Sequence, residues 1–308
     1  MGETENTLRD AEALINVEGI LAEKKLEKVK DTKGNDVIRG TLDIKVDDTH
    51  TIKLNVYASE KTKAGELSKA YPGVETVFEE YQSIAEVGQE AATKVRCRKG
   101  SLQPNTYVDK NTGMVRNSVR YSANFLTRVD ENTRNVFEPK NEFEVEGFIR
   151  GIRPEVNKEG EETGRLIVSL LVPTSKMIEP LDLIAPEEIA DSINETFDIN
   201  QTARFYGILE NNVIVKEKVI KMAIGKDRVE KSYEYIDERI ITGASTPYED
   251  GMEYSIAAIQ KAMADREMQI EQMKADAANA KKKVNTTNAA ANQAPSGRPL
   301  PKFNMLGI

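Results

Sequence analysis

The chain contains an internal duplication. Residues 15–20 read INVEGI and residues 143–148 read FEVEGF, and each segment is followed by a charged, turn-prone stretch. In both places two further runs of alternating apolar residues follow, then a segment of helical period, then two more runs that alternate. The sequence therefore predicts two copies of one order: three strands, a helix and two strands.

The predicted elements occupy matching places in the two copies. Pro186 precedes the second helical segment, as is common at a first helical turn. The predicted second strands are 37–46 and 165–172, the third strands 50–57 and 176–184, the helices 74–81 and 186–193, the fourth strands 93–100 and 202–207, and the fifth strands 115–129 and 229–242.

Composition excludes several classes of protein. No run of eighteen apolar residues is present and no charged start leads into an apolar stretch, so we expect no membrane association and a cytoplasmic protein. The single cysteine, Cys97, excludes an internal disulfide and fits a reducing compartment. With one histidine, His50, a histidine-built metal site is not expected, and we predict no cofactor. The net charge of -8 means that any nucleic-acid contact must come from a local basic patch.

The predicted order is that of the OB-fold, a small Greek-key barrel that binds oligonucleotides and oligosaccharides. We expect a mainly β fold of two tandem OB-fold-like five-stranded barrels, each with a helix between strands three and four. On the element order and the repeated Val-Glu-Gly, the chain resembles tandem OB-fold single-stranded DNA-binding proteins of bacteriophage type. The resemblance implies sequence-nonspecific binding of single-stranded DNA in DNA replication or recombination. The alternative is a structural protein of a phage virion or similar assembly, built from tandem β-barrels.

The duplication also suggests domain limits. We expect an N-terminal arm (1–13), a first domain that binds nucleic acid (14–130), a second domain for packing or assembly (141–243), a helix (250–283) and a flexible tail with an apolar tip (284–308).

Strand parity predicts a basic face on strands two and three of the first copy. Apolar residues at every second position, such as Ile38 and Leu54, mark the core side. The opposite side carries Arg39, Lys45, Lys53 and Tyr57. Cations that neutralise phosphates and rings that stack on bases are what binding of a single strand requires.

A second basic cluster lies on strands four and five of the same copy, where residues 90–130 contain eight basic and three acidic residues. We expect the connecting segment 100–113 to be a hairpin long enough to fold over a bound strand. Cys97, Tyr121 and Phe125 are predicted to be core residues. The nucleic-acid-binding candidates in this cluster are Lys94, Arg96, Arg98, Lys99, Tyr107, Arg116 and Arg120.

The second copy and the region after it differ in character. Ile167 and Leu171 make its second strand apolar on both faces, so we expect this barrel to pack against the first copy or another subunit and to bind nucleic acid weakly if at all. A homo-oligomer is therefore one expected outcome. Arg204 and Tyr206 on the fourth strand of this copy are the exceptions that the sequence offers. The run 252–283 is rich in helix-forming residues, and either a short coiled coil or a helix docked on its own barrel fits it.

The tail ends in an apolar tip. Phe303, Met305, Leu306 and Ile308 are predicted to bind a partner, such as a replication or recombination protein, as in bacterial single-stranded DNA-binding proteins, although this tip lacks acidic residues. The alternative is that the tip tucks into a groove of its own protein. The sequence contains no phosphate-binding glycine loop, His-Glu-x-x-His pattern or paired cysteines, and we predict that it is not an enzyme.

Overall fold

A computed structural model describes residues 8–130, 136–222, 228–249 and 251–291, with the side chains of 213–219, 231–235 and 280–291 left out. The fold is mainly β. The strands are β1 (Ala13–Lys30), β2 (Asp36–Lys45), β3 (Thr51–Ser59), β4 (Lys94–Val108), β5 (Val115–Ser122), β6 (Leu126–Arg128), β7 (Lys140–Val156), β8 (Glu162–Pro173), β9 (Ile178–Ala185), β10 (Thr202–Ile220) and β11 (Arg228–Ala244). The helices are α1 (Tyr71–Glu80), α2 (Ile84–Val87), α3 (Glu187–Thr196) and α4 (Ile256–Ala291).

The first five strands pair in a closed cycle. β1 pairs with β2, β2 with β3, β3 in parallel with β5, β5 with β4, and β4 again with β1. We call this set the first strand cycle. The short β6 pairs with the start of β4. Helices α1 and α2 lie between its third and fourth strands in the chain.

The last five strands repeat this order. β7 pairs with β8, β8 with β9, β9 in parallel with β11, β11 with β10, and β10 again with β7. We call this set the second strand cycle, with α3 between its third and fourth strands. Pairing of β1 with β7 joins the two cycles into one eleven-stranded sheet.

The repeated Val-Glu-Gly has the same place in both cycles. Val17 and Val145 are core residues, with 1% and 0% of their surface exposed. A Cβ atom on Gly19 would lie 2.4 Å from the carbonyl oxygen of Lys45 on the next strand, so only glycine allows β1 and β2 to approach this closely. The motif therefore fixes how the first strand of each cycle packs.

The glutamate of each motif is buried and pairs with an arginine of the fourth strand. Glu18 stands opposite Arg96 on β4, and Nε and Nη2 of Arg96 donate to the two carboxylate oxygens at 2.5 and 2.8 Å. Glu146 likewise stands opposite Arg204 on β10, with an Nη2–Oε2 distance of 3.6 Å. Both glutamates are at most 3% exposed. Buried carboxylates require such partners, because an unpaired charge loses its hydration.

The same pair in the first cycle holds the segment that leads to the second cycle. The amide of Glu138 donates to Glu18 at 2.9 Å, and Arg96 donates to the carbonyl of Val136 at 3.0 Å. Burial raises the pKa of Glu18, but the hydrogen bonds from Arg96 and Glu138 lower it more, so the pKa lies below its ordinary value. Glu18 is therefore held as a carboxylate.

Helix α4 docks on both strand cycles, and Arg266 of the helix donates to the hydroxyl of Thr106 on β4 at 2.8 Å. Ile259 and Tyr254 pack with Leu171 of β8 and Phe148 of β7 in one buried cluster. The chain's own C-terminal region thus covers Leu171. The second copy also packs against the first, as expected, through the pairing of β1 with β7. Of the two interpretations of this helix, docking on its own protein is the one observed.

The bounds of two further elements differ from those predicted. Helix α4 continues to Ala291, past the predicted start of a flexible tail at 284. The predicted hairpin at 100–113 is present, but strand β4 extends through most of it: Ser101–Val108 pairs with Val115–Ser122, and the turn is 109–114. No described helix is long and apolar enough to cross a membrane.

His50 links the two cycles. It lies in the turn between β2 and β3, with Nδ1 2.7 Å from Oδ2 of Asp47 and Nε2 3.0 Å from Oε1 of Glu210 on β10. Burial lowers the pKa of His50, but the hydrogen bonds with Asp47 and Glu210 raise it more, and the pKa lies above its ordinary value.

Candidate nucleic-acid interface

The predicted face on β2 and β3 exists, but carboxylates accompany its cations. Ile38, Leu42, Ile52 and Leu54 are buried on the opposite side, as parity predicts. The ion pairs on the outer side are Arg39 Nε–Glu27 Oε1 at 2.7 Å, Lys45 Nζ–Asp48 Oδ1 at 2.9 Å and Lys53 Nζ–Asp43 Oδ1 at 3.9 Å. Exposed pairs of this kind contribute about 0 to 1 kcal/mol, so phosphates can compete for these cations at low cost.

The predicted exposure of Arg96 is wrong. Its side chain is 8% exposed and is held by Glu18, so it cannot reach a nucleic acid on the outer surface. Parity does place Arg96 on the outer side, beside its register partner Glu18. The segment 136–138 lies against this pair, since Val136 accepts a hydrogen bond from Arg96 and the amide of Glu138 donates to Glu18. Arg98, two residues further along β4, is exposed. Cys97 between them is buried as predicted, and burial raises the pKa of its thiol to about 11.

The outer face of β4 and β5 carries no carboxylate. We call it the hairpin face, and its register pairs are Ser101/Ser122, Gln103/Arg120, Asn105/Ser118 and Tyr107/Arg116. Arg116 lies 3.4 Å from Asp109 in the turn, whereas no ion pair joins Arg120 to a carboxylate in the part of the chain that the structure describes. The strands of the hairpin face therefore offer cations and neutral hydrogen-bonding groups to phosphates.

Each predicted stacking tyrosine stands directly opposite an arginine. Tyr57 on β3 is 59% exposed and is the register partner of Arg39 on β2. Tyr107 on β4 is 40% exposed and is the register partner of Arg116 on β5. Side chains paired in this way on one face of a sheet have Cβ atoms about 5 Å apart. A ring and a guanidinium are thus available together, one for a base and one for a phosphate.

One exposed ring was not expected from the sequence. Phe125 was predicted to be a core residue with Tyr121, but Phe125 is 64% exposed while Tyr121 is 4% exposed. β5 ends at Ser122, so strand parity no longer applies at position 125. The neighbouring Asn124 contacts the backbone of Tyr57, so the chain after β5 lies beside β3 at this point. The exposure of Phe125 could have been predicted only from where β5 ends, and periodicity locates strand ends poorly.

The second strand cycle forms a wall opposite the hairpin face. A groove of about 410 Å³ lies between Gln103 and Arg120 on one side and the β8–β9 turn with Lys176 on the other. Lys176 is exposed and, like Arg120, forms no ion pair within the described residues. Buried Glu179 also borders this groove, where its carboxylate accepts hydrogen bonds from the amide and hydroxyl of Thr106 at 3.1 and 2.5 Å.

The remaining candidates occupy separate places. The ammonium of exposed Lys94 lies 5.0 Å from the ring centroid of Phe137. Arg98 and Lys99 lie together at a second groove, between the two strand cycles. The predicted partner-binding residues of the tip, Phe303, Met305, Leu306 and Ile308, lie outside the described residues. Within the described part of the chain, no three histidine, cysteine or acidic side chains are grouped to hold a metal ion.

Fold and surface together define a mainly β protein whose first strand cycle presents cations and rings on its outer strands. The sequence model of the YorF family matches residues 12–276, and the chain belongs to that family. No curated protein matches the sequence.

Solved structures similar to this chain include the wild-type single-stranded DNA binding protein from Thermus aquaticus, with a TM-score of 0.46 and 12% identity over 79% of this chain and 96% of that chain. A deletion mutant of the same protein aligns with a TM-score of 0.45 and 13% identity, over 78% of this chain and 97% of the other. A replication protein A heterotrimer bound to ssDNA aligns with a TM-score of 0.21 and 10% identity, over 85% of this chain and 70% of that one. Because all three TM-scores lie below 0.5, we base the function on the side-chain geometry.

Proposed function

We propose that this protein binds single-stranded DNA without strong sequence preference, on the outer surface of the first strand cycle. The observation that carries this proposal is the pairing of each exposed tyrosine with an arginine, Tyr57 with Arg39 and Tyr107 with Arg116. Rings stack on any base once the base is unpaired, and cations neutralise the backbone and release counterions. Duplex DNA does not offer its base faces, so this chemistry selects single strands.

The closed order of strands supports assigning each cycle to the OB-fold. Both cycles pair in the order first, second, third, fifth, fourth and again first. We propose that they are tandem OB-fold barrels, a fold that binds oligonucleotides on strands two and three and on the nearby loops. The ring and cation pairs on β2, β3, β4 and β5 fit that use of the fold.

The cellular role follows from this chemistry as a further part of the proposal. A protein that coats single strands protects them in replication or recombination, and we place it in the cytoplasm, of the host if a phage encodes it. The apolar tip, including Phe303 and Leu306, would recruit partner proteins. We propose binding, and not catalysis, as the activity.

The proposal is tested by fluorescence anisotropy of a labelled oligo-dT strand and of a labelled duplex, each at low and high salt. We expect preference for the single strand and weaker binding at high salt. Tyr107→Leu removes the ring but keeps apolar bulk, and should cost about 1 to 3 kcal/mol of binding free energy, while Tyr107→Phe should restore the affinity. Equal affinity for duplex and single strand would contradict the proposal.

A charge reversal tests the hairpin face itself. Arg120→Glu should weaken binding of oligo-dT and flatten its salt dependence, because one phosphate contact is lost. Arg153→Glu is the matched control, since Arg153 is an exposed arginine of β7 that lines neither groove. If both reversals weaken binding equally, the effect is one of net charge and the hairpin face is not the site. Size-exclusion chromatography with and without the oligonucleotide tests the virion alternative, for which large assemblies would form regardless of DNA.

A further inference from the structure

A groove of about 550 Å³ lies where the two strand cycles meet. Arg98 and Lys99 of β4 line it from the first cycle, and Tyr206 of β10 and Thr242 of β11 line it from the second. This groove is distinct from the one beside the hairpin face. It brings together side chains that are more than a hundred positions apart in the sequence.

A bulge in β4 turns both cations toward this groove. Gly100 pairs with Ile15 and Cys97 with Val17, so Arg98 and Lys99 together stand opposite the single residue between those partners. Lys99 has a φ of 56°, a backbone conformation that costs energy for residues other than glycine. Both side chains are exposed although they are consecutive in a strand, where one would normally point inward. β-Bulges commonly redirect side chains in this way beside binding sites.

The groove combines an exposed aromatic ring with two cations that form no ion pair in the described part of the chain. Tyr206 is 39% exposed, and no ion pair engages Arg98 or Lys99 among the residues that the structure describes. Two carboxylates also line the groove. Glu142 accepts a hydrogen bond from Asn16 Nδ2 at 2.9 Å, and Glu144 on β7 is the register partner of Tyr206. A flat ring on one wall and two positive charges on the other match a base and its flanking phosphates.

We propose that this groove binds one nucleotide of the single strand, with its base stacked on Tyr206 and its phosphates held by Arg98 and Lys99. This inference rests on the proposed function, because the strand would reach the groove from the first strand cycle. It gives the second strand cycle a direct part in binding, through one of the two residues that the sequence offered as exceptions to a packing role.

The chain contains no tryptophan, so a single introduced tryptophan reports on one site. We would compare Tyr206→Trp with Tyr107→Trp during titration with oligo-dT, and follow binding by anisotropy in parallel. Stacking on a base should quench both tryptophans. When Arg98→Ala and Lys99→Ala are added to the Tyr206→Trp variant, more oligo-dT should be needed to quench its tryptophan fluorescence. The same pair of changes should leave the tryptophan of the Tyr107→Trp variant still quenched.

The outcomes separate the two proposals. If anisotropy and Tyr107→Trp report binding while Tyr206→Trp does not respond, the inter-cycle site is overturned and the proposed function stands. If no readout detects single-strand binding, both are overturned. As a second measurement, Tyr206→Leu should weaken binding of oligo-dT about 5- to 150-fold, and Tyr206→Phe should restore it. Unchanged affinity of Tyr206→Leu would also overturn the site.

Discussion

Arg96 and Arg98 are two residues apart, yet Arg96 is buried in an ion pair that stabilises the fold and Arg98 is exposed at a proposed binding groove. Substitution can separate these two roles. The side chains of Arg96 and Glu18 are 8% and 4% exposed and share two hydrogen bonds. Removing one partner of such a pair leaves the other charge buried, at a cost of about 3 to 5 kcal/mol. We therefore expect Arg96→Met to lower the free energy of unfolding by about that amount.

The assay is urea unfolding followed by circular dichroism. With a denaturant slope of about 3 kcal/mol per molar, the expected loss lowers the midpoint of the first-cycle transition by about 1 to 2 M. The double variant Glu18→Leu/Arg96→Met should recover most of this loss, because replacing both charges by apolar groups is often neutral. Arg98→Met is the matched control, and its stability should stay within about 0.5 kcal/mol of the parent protein.

Binding gives the opposite pattern. Arg98→Met should weaken binding of oligo-dT, whereas the folded fraction of Arg96→Met should bind as the parent protein does. An Arg96→Met protein that keeps its full stability but loses affinity would refute a structural role for the buried pair.

Three further results are expected. The pKa of His50 is raised in the folded protein, so its ion pairs stabilise the fold fully below about pH 6.5, and this stabilisation is lost as the pH rises through the folded pKa. The difference in melting temperature between the parent protein and His50→Gln should therefore be larger near pH 6 than near pH 9. A difference independent of pH would contradict this. Ile259→Ala should destabilise the docked α4 by about 2 to 5 kcal/mol in urea unfolding, whereas Met268→Ala, at a side chain that is 64% exposed, should change little. The thiol of Cys97 should react with a thiol reagent only after unfolding, and rapid reaction of the native protein would show that this part of the core opens.

Local pattern alone determined much of the architecture. Alternation of apolar residues identified the core side of β2 and β3, since a strand with one buried face must alternate. The Val-Glu-Gly repeat correctly aligned β1 with β7, and helical periodicity placed α1 and α3 between the third and fourth strands of their cycles. These features depend on neighbours within a few positions, which a single sequence contains.

Tertiary structure decided which charges remain available. Arg96 and Arg98 have the same parity, but β1 places Glu18 opposite the first of them, whereas the second lies in a bulge of β4. In the same way, Tyr206 and Arg98 line one groove only because β1 and β7 pair and bring the two strand cycles together. Contacts between distant segments depend on strand register and on how cycles pack, and no local periodicity records either of them.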